Sequence, residues 1–219
     1  MDLKYLIRKP KEINYKSQLL VMIHGYGSNE EDLFGLVQDL PEDFIILSLR
    51  APRDTMYGGY SWYDIDFSNA EKFINVEQAE DSINYIITTI EKIKHKYQLN
   101  EKTHLMGFSQ GGILSYALSL RFPELFHKVA VLSAYPEKKI LKDISSNKKS
   151  LSEMRFFISH GSQDVTIPID FGKQATDMLY DLGCFFSFKE YNSGHGINQK
   201  NYLDLMNFFS NETGSNLNL

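Results

Sequence analysis

Apolar residues follow two alternating patterns along the chain. Short, nearly continuous runs at 19–24, 44–49, 103–108, 129–132, 155–160 and 185–190 are rich in β-branched and aromatic residues. Such runs predict strands covered on both faces. An earlier run at 3–8 predicts an outer antiparallel strand. Between the runs the spacing becomes helical. From Val76 to Tyr97, the residues Val76, Ala79, Ile83, Ile87, Ile90, Ile93 and Tyr97 recur three or four positions apart and predict one apolar stripe. Glu77, Glu80 and Asp81 stand in its first turns, where the helix dipole favours acidic groups. Further helical patterns cover 29–40, 110–121, 170–182 and 198–210.

Strand and helix alternate, which predicts an α/β fold: a mostly parallel central sheet with helices on both faces. In such sheets the reactive groups gather at the carboxyl ends of the strands. There is no internal repeat and no interdomain linker, so residues 1–210 read as a single domain and the polar 211–219 as a flexible tail. Two segments are irregular. Residues 50–75 carry Tyr57, Tyr60, Trp62, Tyr63, Phe67 and Phe73, and residues 135–154 are rich in Lys and Ser.

Composition narrows the classes. The chain has 219 residues, 42% hydrophobic, enough for one large core. A net charge of −5 argues against nonspecific binding of nucleic acid. The single cysteine, Cys184, sits among Gly183, Phe185 and Phe186 and reads as buried and inert. The pair Lys148–Lys149 reads as part of a solvated loop. No apolar run reaches the ~18 residues of a membrane span, and no signal-peptide core follows the N-terminus. The expectation is a cytoplasmic protein with no membrane span. There is no metal-ligand cluster and no dinucleotide fingerprint, so no metal and no cofactor is expected.

The chemistry starts at Gly107-Phe108-Ser109-Gln110-Gly111, which fits G-x-S-x-G. The pentapeptide alone is weak, because a Gly-rich turn before a helix has the same form. Its context is stronger: a strand pattern precedes it and a helix pattern follows. On such a sharp turn Ser109 is the candidate nucleophile, and glycines two positions either side avoid collision.

The base must be chosen among six histidines. His95 and His127 read as solvated helix or loop residues, and His104 as a core residue within a strand. His24 and His160 each precede a glycine at a strand end, so either can lie near the site. His195, in Asn192-Ser193-Gly194-His195-Gly196, lies in a loop after the last strand and is the candidate base. Asp164 follows the strand at 155–160 and is the candidate acid; Asp170, Asp177 and Asp181 belong to the next helix and face away. A turn or capping role is the plain alternative for Asp164. Ser109, Asp164 and His195 fall at three successive strand ends in the order Ser, Asp, His that an α/β-hydrolase fold requires. A neutral His195 is needed to accept the serine proton, so activity should fall as acid protonates it.

The first central strand ends in His24-Gly25-Tyr26-Gly27. The backbone N–H groups of Tyr26 and Gln110 are the candidate oxyanion hole. The aromatic loop around Trp62 and Tyr63 either packs on the sheet or walls a substrate pocket; the second reading is favoured here.

Met22-Ile23-His24-Gly25-Tyr26-Gly27, Gly107-Phe108-Ser109-Gln110-Gly111-Gly112, Asp164-Val165-Thr166-Ile167-Pro168 and Gly194-His195-Gly196-Ile197 together resemble the phospholipase/carboxylesterase family, which includes acyl-protein thioesterases. Ser61-Trp62-Tyr63-Asp64-Ile65 resembles that family's Trp-Phe-Asp motif. The resemblance covers residues 19–209. It implies an α/β-hydrolase fold with no large cap domain, ester or thioester cleavage without a cofactor, and the same roles for Ser109, Asp164, His195, Tyr26 and Gln110. It also implies acyl-pocket roles near Trp62. One departure is visible: Ser28-Asn29 follows Gly27 where many members carry Asp, which affects the rim of the pocket.

The expected function is a carboxylesterase acting on a small-molecule ester. The alternatives are a thioesterase on acyl thioesters or acylated proteins, or a lysophospholipase, all with the same triad. A non-catalytic binding protein would lack part of the triad. An amidase or peptidase would use the same scaffold, but no added domain selects peptides. Residues 135–154 lack the amphipathic helix of a lipase lid, so an open, shallow site bounded by Trp62 and its neighbours is expected, without interfacial activation. Monomer and homodimer both stay open.

Overall fold

The computed structural model describes residues 2–15, 17–56, 58–66, 68 and 74–211. Seven strands form one sheet: β1 (Tyr5–Arg8), β2 (Leu19–Ile23), β3 (Ile45–Leu49), β6 (Thr103–Phe108), β7 (Phe126–Leu132), β8 (Arg155–Gly161) and β9 (Phe185–Tyr191). Their order is β1-β3-β2-β6-β7-β8-β9. Only β1 runs antiparallel to its neighbour. A separate two-stranded hairpin joins β4 (Arg53–Asp54) to β5 (Tyr60–Ser61).

Side chains alternate across the pleat, so each strand feeds two cores. Leu19, Val21 and Ile23 of β2 pack on one face with helices α2 (Val76–Tyr97), α3 (Gln110–Arg121) and α5 (Ile169–Leu182). Leu20 and Met22 pack on the other with Leu33 of α1 (Glu31–Phe34) and with Leu205, Met206, Phe208 and Phe209 of α6 (Gln199–Ser210). Helix α3 is buried over almost its whole length, which suits its nearly uninterrupted apolar and small residues. The remaining helix, α4 (Lys148–Glu153), begins at the Asn147 cap; Lys148 and Lys149 form its first turn rather than a loop. Among the described residues no helix is long and apolar enough to cross a membrane.

Four further expectations change. The stripe of α2 runs through Ile86, not Ile87, which is only half-buried. Continuing from Ile83 by three and seven residues gives Ile86 and Ile90, and Ser82 also turns inward to bond the loop beside it. The helix expected at 29–40 is instead α1 and a 3-10 turn at Val37–Asp39, parted by Gly35, a poor helix former. Strand β9 is the sheet edge, with Phe185 and Glu190 exposed, so it is not covered on both faces. His127 lies on β7, half-buried, rather than on a helix or loop. Of the aromatic residues expected to form the 50–75 loop, Tyr57, Phe67 and Phe73 lie outside the described residues, as does the tail from 212 to 219.

Candidate active site

The sheet order puts the ends of β2 and β6 side by side at the point where the chain reverses its direction of travel across the sheet. Ser109 stands between β6 and α3 at φ 52° and ψ −117°. This is left-handed backbone that a non-glycine residue adopts only under constraint. The constraint is visible in its neighbours. A Cβ at Gly107 would run into Ser115 and the Gly111 carbonyl, and one at Gly111 into the Ile23 carbonyl. The turn therefore closes only with glycine at both positions. Its gain is a serine lifted to the floor of a cavity.

His195 Nε2 lies 3.0 Å from Ser109 Oγ, and His195 Nδ1 lies 2.7 Å from Asp164 Oδ2. The Asp164 side chain is fully buried and that of His195 is 19% exposed. The other carboxylate oxygen, Oδ1, accepts from the N–H groups of Thr166 and Ile167, each at 2.9 Å. Those bonds aim Oδ2 at the imidazole. The loops carrying acid and base are stitched together: Ser162 N–H bonds the Tyr191 carbonyl at 2.8 Å, and Gln163 N–H the Ser193 carbonyl at 3.0 Å. Phe108 supports the imidazole, with ring centres 5.0 Å apart. The expected nucleophile, base and acid thus meet in one hydrogen-bonded chain. A neutral imidazole in it can take the serine proton, and the carboxylate can hold the resulting cation.

His160 is buried beside this chain. Its Nε2 lies 2.7 Å from the Ile167 carbonyl and 3.4 Å from Asp164 Oδ2. His24 is buried against Trp62, and desolvation pushes its imidazole below its ordinary value. His104 lies in the core and His95 on the surface, as expected. Asp170, Asp177 and Asp181 are exposed on α5.

The Gly25-Tyr26 turn packs directly on Ser109: a Cβ at Gly25 would touch its side chain. Peptide geometry gives the direction of the two candidate donors, because a trans peptide points N–H opposite to C=O. The Gly25 carbonyl accepts from His24 Nδ1 at 2.7 Å, and the Ser109 carbonyl from Ile113 N–H at 3.0 Å. The N–H groups of Tyr26 and Gln110 project the other way.

A cavity of about 590 Å³ opens over Ser109 and His195. Its wall is mostly apolar: Tyr63, Ile65, Ile113, Tyr135, Ile167 and Phe171. Trp62 is not among the lining residues; it is fully buried behind them. Tyr63 does line the cavity, and burial raises its phenol well above the ordinary value. Two wall residues escaped the sequence reading. Tyr135 and Phe171 meet with ring centres 5.8 Å apart, one after β7 and one on α5. Phe171 is a large apolar side chain 47% exposed on its helix, which is the one signal that marks it. Glu137 and Lys139 bring charge to the cavity from the segment expected to be only a polar connection. Among the described residues no three His, Cys, Asp or Glu side chains gather as metal ligands.

The sequence profile of the family described as phospholipase/carboxylesterase matches residues 7–212. The chain is 26% identical over 220 residues to acyl-protein thioesterase 1 of Kluyveromyces lactis, covering 93% of this chain and 96% of the relative. It is 32% identical over 162 residues to acyl-protein thioesterase 1 of Debaryomyces hansenii, covering 70% and 69%. Its structure is similar to the crystal structure of esterase PE8, with a TM-score of 0.80, 24% identity and coverage of 95% and 98%. The Bacillus cereus carboxylesterase gives a TM-score of 0.80 at 17% identity, covering 94% and 93%. The likeness to these structures is one of fold, and that fold is the α/β-hydrolase.

Proposed function

The chain belongs to the phospholipase/carboxylesterase family and is a hydrolase with the α/β-hydrolase fold; on that premise we propose that it cleaves carboxylic esters through an acyl-enzyme on Ser109. One observation carries the reading: the unbroken series from Ser109 Oγ to His195 at 3.0 Å and from His195 to Asp164 at 2.7 Å. Ser109 Oγ attacks the ester carbonyl carbon as its proton passes to His195 Nε2. The carbonyl oxygen becomes an oxyanion and takes hydrogen bonds from the N–H groups of Tyr26 and Gln110. On collapse the carbon–oxygen bond to the alcohol breaks, and His195 returns the proton to that leaving oxygen. Water then attacks the acyl-enzyme with His195 again as base, releasing the acid and free Ser109.

Asp164 keeps one tautomer in place and stabilises the imidazolium. The apolar wall of Tyr63, Ile113, Tyr135 and Phe171 receives the acyl chain, and soluble short-to-medium chains are the preferred substrates. No cofactor takes part, residues 1–210 act as a single domain, and the setting is the cytoplasm.

A second reading has support of its own. Both relatives named above are acyl-protein thioesterases, which favours a thioester, on a small molecule or an acylated protein, as the natural substrate. The steps are the same, with a thiolate leaving more easily than an alkoxide.

The test is a panel of oxygen and sulfur esters of matched chain length, run on the protein and on Ser109→Ala, beside labelling with a fluorophosphonate. Ser109→Ala should lose labelling and all but about 10⁻⁶ of turnover. Wild-type-like hydrolysis by the variant would end the proposal. The ratio of thioester to ester kcat/KM separates the two readings.

A further inference from the structure

Trp62 sits behind the cavity wall, and its hydrogen bonds run to both segments that carry the proposed oxyanion donors. The indole N–H donates to the His24 carbonyl at 2.9 Å, two residues before Tyr26. The backbone N–H of Trp62 donates to Gln110 Oε1 at 2.9 Å. The Gln110 side chain then donates from Nε2 to the Tyr63 carbonyl at 2.7 Å. One residue thus joins the end of β2 to the start of α3. All of these groups are buried, so each bond lost leaves a polar atom without water to replace its partner.

The same residue also reaches the orientation of the Tyr26 amide. The Trp62 ring packs against the His24 imidazole, with centres 5.4 Å apart. His24 Nε2 accepts from the Ala51 N–H at 3.1 Å, which leaves the proton on Nδ1 to donate to the Gly25 carbonyl at 2.7 Å. That carbonyl shares a peptide plane with the Tyr26 N–H. Trp62 is itself fixed from the far side, because its carbonyl accepts from Ser82 Oγ on α2 and from Arg53 at 3.0 Å. Tyr60, two residues earlier, completes the clamp: its carbonyl accepts from Gly27 N–H at 2.9 Å and its N–H donates to the Ser28 carbonyl at 2.7 Å.

We propose that Trp62 is a positioning residue that holds the Tyr26 and Gln110 donor segments in register, the first through its indole N–H and the second through its backbone N–H, rather than by contacting the acyl chain. This rests on the reading of Ser109 as nucleophile and of those two amides as oxyanion donors. Such donors act only when they stand at hydrogen-bond distance from the place where charge develops. Loosening their support weakens transition-state binding and leaves ground-state binding alone.

The chain has one tryptophan, so this indole can be changed without touching another. Replacing Trp62 with benzothienylalanine keeps the bicyclic shape and removes only the N–H; Trp62→Phe is the genetic counterpart. Active sites are counted by fluorophosphonate titration, so that unfolded protein does not enter kcat. The expected result is a fall in kcat of about 10-fold or more, short of the ~10²–10³ lost when a donor is removed outright. KM should be unchanged, and the fall should be equal for acetate, butyrate and octanoate esters. The affinity of an alkyl boronic acid, which forms a tetrahedral adduct on the serine, should drop by the same factor as kcat. Unchanged kcat per active site, or a loss that grows with acyl length, would overturn the inference. Ser109→Ala is run in parallel. If it abolishes turnover while the benzothienyl protein keeps full kcat, only this inference falls; if it does not, the proposed mechanism falls as well.

Discussion

Ser109 holds a strained backbone that nothing in its own side chain favours, and the cost is met by two glycines that let strand, turn and helix close around it. His104 shows the same dependence of one residue on its surroundings. Its Nε2 lies 2.9 Å from Gln18 Oε1, its Nδ1 accepts from Lys128 N–H at 3.3 Å, and burial pulls its imidazole from 6.5 down to about 3. The folded value lies below the unfolded one, so between them the unfolded chain binds more protons. The stability is full above about pH 6.5 and drains away as pH falls toward 3. By about pH 5 the loss from this group is of order 2 kcal/mol. Urea midpoints at pH 7 and pH 5 should differ less in His104→Gln than in the parent; equal shifts would show that His104 does not titrate in this way. His24 and His127 are lowered in the same direction by burial and add to the dependence. At this scale the sequence was readable where a residue follows a strand run directly. Ser109, Asp164 and His195 do so. The place of Trp62 was not readable, because its partners His24 and Gln110 stand 38 and 48 positions away.

The cavity wall belongs to the level of elements. Its apolar side chains come from the 60–65 segment, α3, the turn after β7, the loop after β8 and α5. Helix α2 was legible with its ends because its periodicity runs for several turns, and α3 because an unbroken run of apolar and small residues follows the Ser109 turn. Short elements were not; Gly35 breaks the pattern at 29–40 in a way that apolar spacing alone does not register. The pairing of Tyr135 with Phe171 has no local signature either, since it arises only when the turn after β7 meets α5. Its consequence can be measured. Phe171→Ala should leave acetate turnover nearly unchanged and lower kcat/KM progressively as the acyl chain lengthens. The ceiling is about 0.8 kcal/mol for each methylene that loses its contact. A uniform loss across chain lengths would place Phe171 outside the acyl path.

The whole molecule is one parallel sheet between two helical layers, with an antiparallel strand at one edge and a half-exposed one, β9, at the other. That plan followed from the alternation of two periodicities. Its exact strand order did not, because no residue pattern states which parallel strands are neighbours. The sole tryptophan is fully buried in the 60–63 loop, beside α2 and α3 and against His24. Excited beyond the absorption of the thirteen tyrosines, the emission of the folded protein is therefore the light of a single spot, the buried loop that joins the end of β2 to the start of α3. Far-UV circular dichroism reads the helices and strands instead. In a denaturant titration the two signals should move together, because Ser82, Arg53, Gln110 and His24 tie the loop to α2, the hairpin, α3 and β2 at once. If the emission shifts at lower denaturant than the dichroism, the loop opens before the sheet melts, and the proposed catalytic centre has a melting point of its own.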